Sequence, residues 1–340
     1  MRRTAVVLAT NLMVGTAALA YLLQRFGMPA LALVAGQQPS ARLLLAFAAV
    51  VPLTLTLDAW RWSLMLAALG ERARLLHLAA FRAAGQGLSA LLPSAKLGGE
   101  PLRMYLLVRG GVPGGAAIAS VAVDRTVELG ASTAAACVFA MLLLRGGVSG
   151  LDGALVTLGL GAFGLVAGVV LTVRRLGRGA GVVTAVVRRT GLDRFRFVEE
   201  RLGVLAEAEV GAAQLAAGPR VLAVAFGAAL LAAAGALLEY HLLLAAFHLP
   251  AGAMAIVAAA FATGAAHALP VPAGMGVLEG ATLWLFTALG HPPAVGLAVG
   301  LVARLREVVW VLPGLLYLGA RGLAARRHPA PVRGELRAAG

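Results

Sequence analysis

The sequence predicts an all-α, polytopic membrane protein with about six full spans and two broken helical hairpins in inverted repeats. Three observations predict it. Hydrophobic types make up 60% of the 340 residues and charged types 13%, against about 25% charged in soluble domains. Apolar runs approach the roughly 20 residues that cross a bilayer core of about 30 Å. Two further apolar stretches, both broken by Pro and Gly, carry the same charged residues at the same spacing. With a mean hydropathy of +0.89, a water-soluble fold of this size cannot hide so much apolar surface. Disorder, a disulfide scaffold and a nucleic-acid-binding domain fit poorly.

Full spans are expected near 4–23, 43–66, 115–144, 152–173, 220–246 and 294–320. The first follows Arg2 and Arg3. Its apolar run is long for a signal peptide and lacks an obvious cleavage site, so it reads as a span. Asp58-Ala59-Trp60-Arg61-Trp62 closes the second run and reads as an interfacial anchor. Cys137 lies alone in an apolar run and offers neither disulfide nor metal cluster.

Two stretches, 73–108 and 251–290, differ from the spans. The first is broken around Pro93, Gly98 and Gly99, the second around Pro272, Gly274 and Gly276. Pro lacks a backbone donor and Gly is conformationally loose, so both interrupt helices. Irregular backbone survives at membrane depth only against protein or water. Each stretch is therefore expected to be a re-entrant hairpin or discontinuous helix.

The segment 174–218, with Arg220 just beyond it, is basic and amphipathic and is placed in the cytoplasm by the positive-inside rule. The basic tail 321–340 and Arg2–Arg3 agree. Six crossings with two returning hairpins put both termini inside. The whole chain, 1–340, is read as one integral membrane domain. The net charge of +14, with Lys96 the only lysine, then reflects topology and anionic headgroups rather than nucleic acid.

The broken stretches match at one offset. Pro93 corresponds to Pro272, Glu100 to Glu279, Gly111 to Gly290, Pro113 to Pro292, Arg125 to Arg304 and Glu128 to Glu307. The repeat units are about 41–145 and 219–320. The first hairpin enters from the cytoplasm and the second from outside, so the units are inverted. Inverted repeats with broken helices are an architecture of secondary transporters, with the substrate at the midplane.

Arg125 and Arg304 lie ten residues into their spans, about 15 Å deep at the helical rise. Glu128 and Glu307 follow on the same face. A mid-membrane charge costs roughly 2.5–3.5 kcal/mol, so such groups turn inward and pair. Two readings stand. Arg125 pairs with Glu128 or Glu100, and Arg304 with Glu307 or Glu279, only to lock the repeats; or these groups, with Lys96, Arg103 and Asp124, line a polar substrate cavity. Five cations, counting Arg306, face five acids, so counting alone selects no ligand charge. Glu239-Tyr240-His241 is either a cavity group or a local polar cluster, and His267 reads as structural. No catalytic constellation, nucleotide motif, metal-ligand spacing or cofactor fingerprint is evident.

The motifs resemble the flippase-like family typified by the transmembrane region of lysylphosphatidylglycerol synthase. The family's Leu-Pro-x-x-x-Gly-Glu-x-x-Arg element is similar to Leu92-Pro93 through Gly99-Glu100 and Arg103. Its acid–Arg pair is similar to Asp124-Arg125, and its Pro-Gly-Gly-x-Gly-x-x-Glu element to Pro272 through Glu279. This chain carries extra residues between Pro93 and Gly99, Asp124 where Glu is commoner, and Ala273 in place of Gly. The resemblance implies translocation of an amphiphilic lipid, phospholipid or isoprenoid-type, across the bacterial inner membrane, without synthase activity. Membrane lipids are then substrate and solvent, with a lipid-biosynthesis enzyme as a possible partner. The rival expectations are an ion-coupled carrier of a small solute and a non-transporting membrane partner of a lipid-modifying or glycosyl-transfer enzyme.

Overall fold

The computed structural model describes residues 2–36, 38–92, 98–145, 202–269, 271 and 274–327, with isolated positions 153, 164, 168 and 189. The expected span 152–173 and most of 174–201 lie outside the described residues. Ten helices and no strand occur among the described residues. They are α1 (Arg2–Ala35), α2 (Ala41–Ala68), α3 (Leu75–Leu91), α4 (Glu100–Arg109), α5 (Gly114–Arg145), α6 (Leu202–Ala216), α7 (Pro219–Ala246), α8 (Ala253–Ala268), α9 (Val277–Ala288) and α10 (Pro293–Arg327).

Four helical stretches are long and apolar enough to cross a membrane: Gly15–Ala35 of α1, and all of α2, α5 and α7. This is a helical membrane protein. α10 has the length, 35 residues, but Arg304, Arg306 and Glu307 interrupt its apolar character. α1 continues beyond the expected 4–23 to Ala35, with Arg25 exposed on its surface.

The stretches 73–108 and 251–290 each form two helices around a break. α3 has 17 residues and α4 has 10, about 26 and 15 Å at the helical rise. α8 and α9 have 16 and 12. All four fall short of a typical span. α3 and α4 run antiparallel: the Gly99 N–H donates to Ser89 Oγ at 2.7 Å, while Arg103 packs beside Gly85. Gly99 sits so close to the Gly85 carbonyl that an added Cβ would lie 2.0 Å from its oxygen. In the second break Gly274 and Gly276 take positive φ, +58° and +73°, a region costly to other residues.

The elements of 41–145 and 219–327 have matching lengths and ends. α2 and α7 both have 28 residues. Two residues past the ends of α4 and α9 stand Gly111 (φ +93°) and Gly290 (φ +86°). Beyond each, a bond from Val112 N–H to Leu107 O, or from His291 N–H to Phe286 O, satisfies a terminal carbonyl. The packing is paired too. α3 lies on α10 as α8 lies on α5, and α2 lies on α7. α2 and α7 are antiparallel. Ser40 N–H, at the start of α2, donates to Ala246 O at the end of α7 (2.9 Å), and mid-helix Thr54 bonds Glu239 (3.1 Å). α1 braces the second break, where Gly15 meets the Met275 carbonyl and Gly276 meets the Gly15 carbonyl.

Candidate functional site

A cavity of about 540 Å³ lies between the two helix sets. Its walls include Ala229, Ala232, Ala233 and Ala236 of α7 and Val308, Val311, Leu312 and Leu315 of α10. Into these apolar walls are set six arginines, Arg61, Arg82, Arg103, Arg125, Arg304 and Arg306, with His267 and four acids, Asp58, Glu100, Glu128 and Glu307.

The matched residues make matched contacts. Arg125 Nη1 donates to Glu128 at 3.0 Å and its Nε lies 3.3 Å from Glu100. Arg304 donates to Glu307 at 2.7 Å and to Glu279 at 2.6 Å. In each set an arginine on the last helix ties the acid one turn on to the acid that opens the short hairpin helix. Glu279 Oε2 also accepts the Gly276 N–H (3.0 Å), closing the N-terminus of α9. The Gly274 carbonyl accepts from Arg304 Nη2 (2.9 Å), so this arginine pins the break itself.

Beyond that motif the two sets differ. Asp124 is fully buried, accepting from Arg61 Nε (2.9 Å), Arg82 Nη1 (2.8 Å) and Arg103 Nη2 (2.7 Å). Its counterpart in the second set is Ala303. Arg61 also bonds Asp58 (2.9 Å), and Arg82 bonds Glu128 (2.6 Å). Arg103 lies over the Trp62 ring, 4.1 Å from its centroid, a favourable cation–π arrangement. In the second set Glu239, 0% exposed, accepts from Arg306 Nε (2.8 Å), Trp310 Nε1 (2.9 Å) and Thr54.

This corrects the expected interfacial anchor at 58–62. Arg61 and Trp62 are 1% and 0% exposed, because α3 and α5 pack over this end of α2; only Trp60 is substantially exposed. Of the expected site residues, Glu100, Arg103, Arg125, Glu128, Arg304 and Glu307 meet at the cavity. Asp124 and Glu279 stand behind its wall and hold arginines from there. Lys96, Pro93 and Pro272 lie outside the described residues. Sequence reasoning missed Arg82, although a lone arginine in an apolar stretch is itself a signal. Glu239 is a cavity-backing anion while His241 is exposed, so that tripeptide divides between the two readings.

The geometry also changes the charge count. The buried acids Asp124, Glu239 and Glu279 do not line the cavity, so the described surface presents six guanidinium groups against four carboxylates. The three buried acids pair with these guanidinium groups from behind, so the surface offers charge-assisted donors beside apolar walls rather than a plain excess of positive charge.

The model of the lysylphosphatidylglycerol synthase TM region matches residues 5–314. Among curated proteins there is no match. The match spans nearly the whole chain, and the chain belongs to that family.

Proposed function

Taking that membership as premise, we propose that the protein moves an amphiphilic lipid across the bacterial inner membrane. The polar head enters the cavity while the tails stay in the bilayer. One observation carries the reading: an apolar-walled cavity between two matched helix sets, lined from both by arginines. In this reading the protein is a carrier and not an enzyme, and it holds its substrate without a cofactor.

The architecture supporting it is an inverted repeat of about 41–145 and 219–320. Antiparallel packing of the equivalent helices α2 and α7 supports the inversion, and the short antiparallel α3 and α4 support a re-entrant hairpin. With about six spans, both termini face the cytoplasm. Arg103, Arg125 and Arg304, joined by Lys96, contact the phosphate or other anionic head, and Glu100, Glu128, Glu279 and Glu307 hold those arginines in place. Asp124 positions Arg103 and does not touch the substrate.

The test is flipping in proteoliposomes, read as accessibility of headgroup-labelled phospholipid, or of a labelled isoprenyl phosphate, to an impermeant quencher. Arg125→Ala and Arg304→Ala are each expected to lower the rate at least tenfold, read on protein that elutes as the native chain does and at a temperature below its own unfolding. Wild-type rates in well-folded variants would remove the assigned roles, and no flipping of either lipid class by the native chain would sink the reading.

A further inference from the structure

The two equivalent acids Glu128 and Glu307 live in different company. Glu128 meets Arg61, Arg82 and Arg125. Glu307 meets Arg304 through Oε2 (2.7 Å) and His267 through Oε1, where His267 Nε2 lies at 2.5 Å. A nitrogen and a carboxylate oxygen that close share a proton, since two bare acceptors would repel. Both side chains line the cavity and are partly exposed, 14% and 16%. Leu88 stands at the position of the first set equivalent to His267, so the pair belongs to one set only.

We infer that the His267–Glu307 pair is a proton site whose occupancy governs entry of an anionic headgroup at the second-set end of the cavity. This rests on the lipid-carrier reading and adds a linked proton to it. With its single proton on Nε2, facing Glu307 Oε1, the neutral ring takes its second proton at Nδ1. With neutral imidazole, the local group of Arg304, Glu279 and Glu307 carries one net negative charge; with imidazolium it is balanced.

The surroundings contribute no further imbalance among the described residues. Arg306 of α10 cancels Glu239 of α7, and Tyr240 is neutral and hydrogen-bonded to Thr263. On α2 to α5, Arg61, Arg82, Arg103 and Arg125 match Asp58, Glu100, Asp124 and Glu128. α1 brings Tyr21 and Arg25, both exposed. Protonation therefore adds one positive charge at this end and makes it more favourable to an anion. Reciprocity requires that the anion draw the proton in.

The experiment uses the full chain in detergent micelles and dihexanoylphosphatidylglycerol, a phosphodiester whose own charge is constant between pH 6 and 8. Calorimetric titration in two buffers of different ionisation enthalpy counts the protons exchanged. The native chain is expected to take up close to one proton per lipid bound, and Kd to weaken by up to about tenfold per pH unit above the imidazole's titration. His267→Gln should bind with no proton uptake and a flat pH profile; Glu307→Gln, which removes the other half of the pair, should also lose the uptake. Native binding without proton exchange, uptake that persists in a folded variant of either residue, or no binding at all overturns the inference. Flipping by the native chain is scored separately. A carrier that flips lipid without proton linkage loses only this inference, and a chain that binds lipid with proton uptake but never flips it loses only the transport reading.

Discussion

Asp124 carries the heaviest duty of any single side chain, because three guanidinium groups converge on it in a fully buried position. Removing one partner of a buried ion pair leaves its charge uncompensated, at about 3–5 kcal/mol. Asp124→Asn is therefore expected to cost at least about 3 kcal/mol, read as a lowered unfolding temperature of the detergent-solubilised protein. Glu128→Gln should lower it less, because 28% of that side chain is exposed to the cavity. Equal shifts would contradict the distinction between a positioning acid behind the wall and one on it. At this scale the repeated residues were legible in the sequence. Glu100, Arg125 and Glu128 announce themselves by recurring as Glu279, Arg304 and Glu307. Arg61 was not, because its place near the end of an apolar run indicates depth and says nothing of which neighbours cover it. Arg82 has no charged partner within a helical turn; Asp58, Asp124 and Glu128 reach it only through the fold.

Between helices, glycine sets the spacing. An added Cβ at Gly314 of α10 would lie 1.9 Å from the Ala83 carbonyl oxygen of α3, whereas one at Gly319, in the same helix, meets nothing within 4 Å. Small residues allow this close approach where apolar burial gives helices no reason to associate in lipid. Gly314→Ala should force α3 and α10 apart and lower the unfolding temperature by several degrees. Gly319→Ala should leave it unchanged or raise it, since alanine favours helix by about 1 kcal/mol. Matching losses from both variants would mean that the close α3–α10 contact at Gly314 is not what decides. The ends of α2, α5 and α7 were legible to within two residues from apolar run length, and the Pro/Gly clusters marked both breaks. What composition cannot convey is that the first hairpin rests on the last helix of the other set, because that contact joins residues more than 200 positions apart.

For the whole molecule, the question is whether the two helix sets move against each other. α2 and α7 meet along their length, and an ideal Cβ on Gly235 would lie 3.8 Å from Thr54 Cβ, the mean separation in a disulfide. Cys137 is the chain's one native cysteine. Replacing it with alanine and introducing Thr54→Cys with Gly235→Cys therefore gives a single crosslink between equivalent helices, at a wall of the cavity that Thr54 lines. Rocking of one set against the other requires α2 and α7 to shift, as in alternating access around a fixed midplane site. The oxidised protein is thus expected to flip lipid at least tenfold more slowly than the same protein after reductant, with crosslinking verified by mobility on a denaturing gel. Quantitative crosslinking with undiminished flipping would place the motion elsewhere. The hairpins are then the remaining moving parts. Arg304, held at once by Glu279, Glu307 and the Gly274 carbonyl, would be the latch whose release such a motion requires.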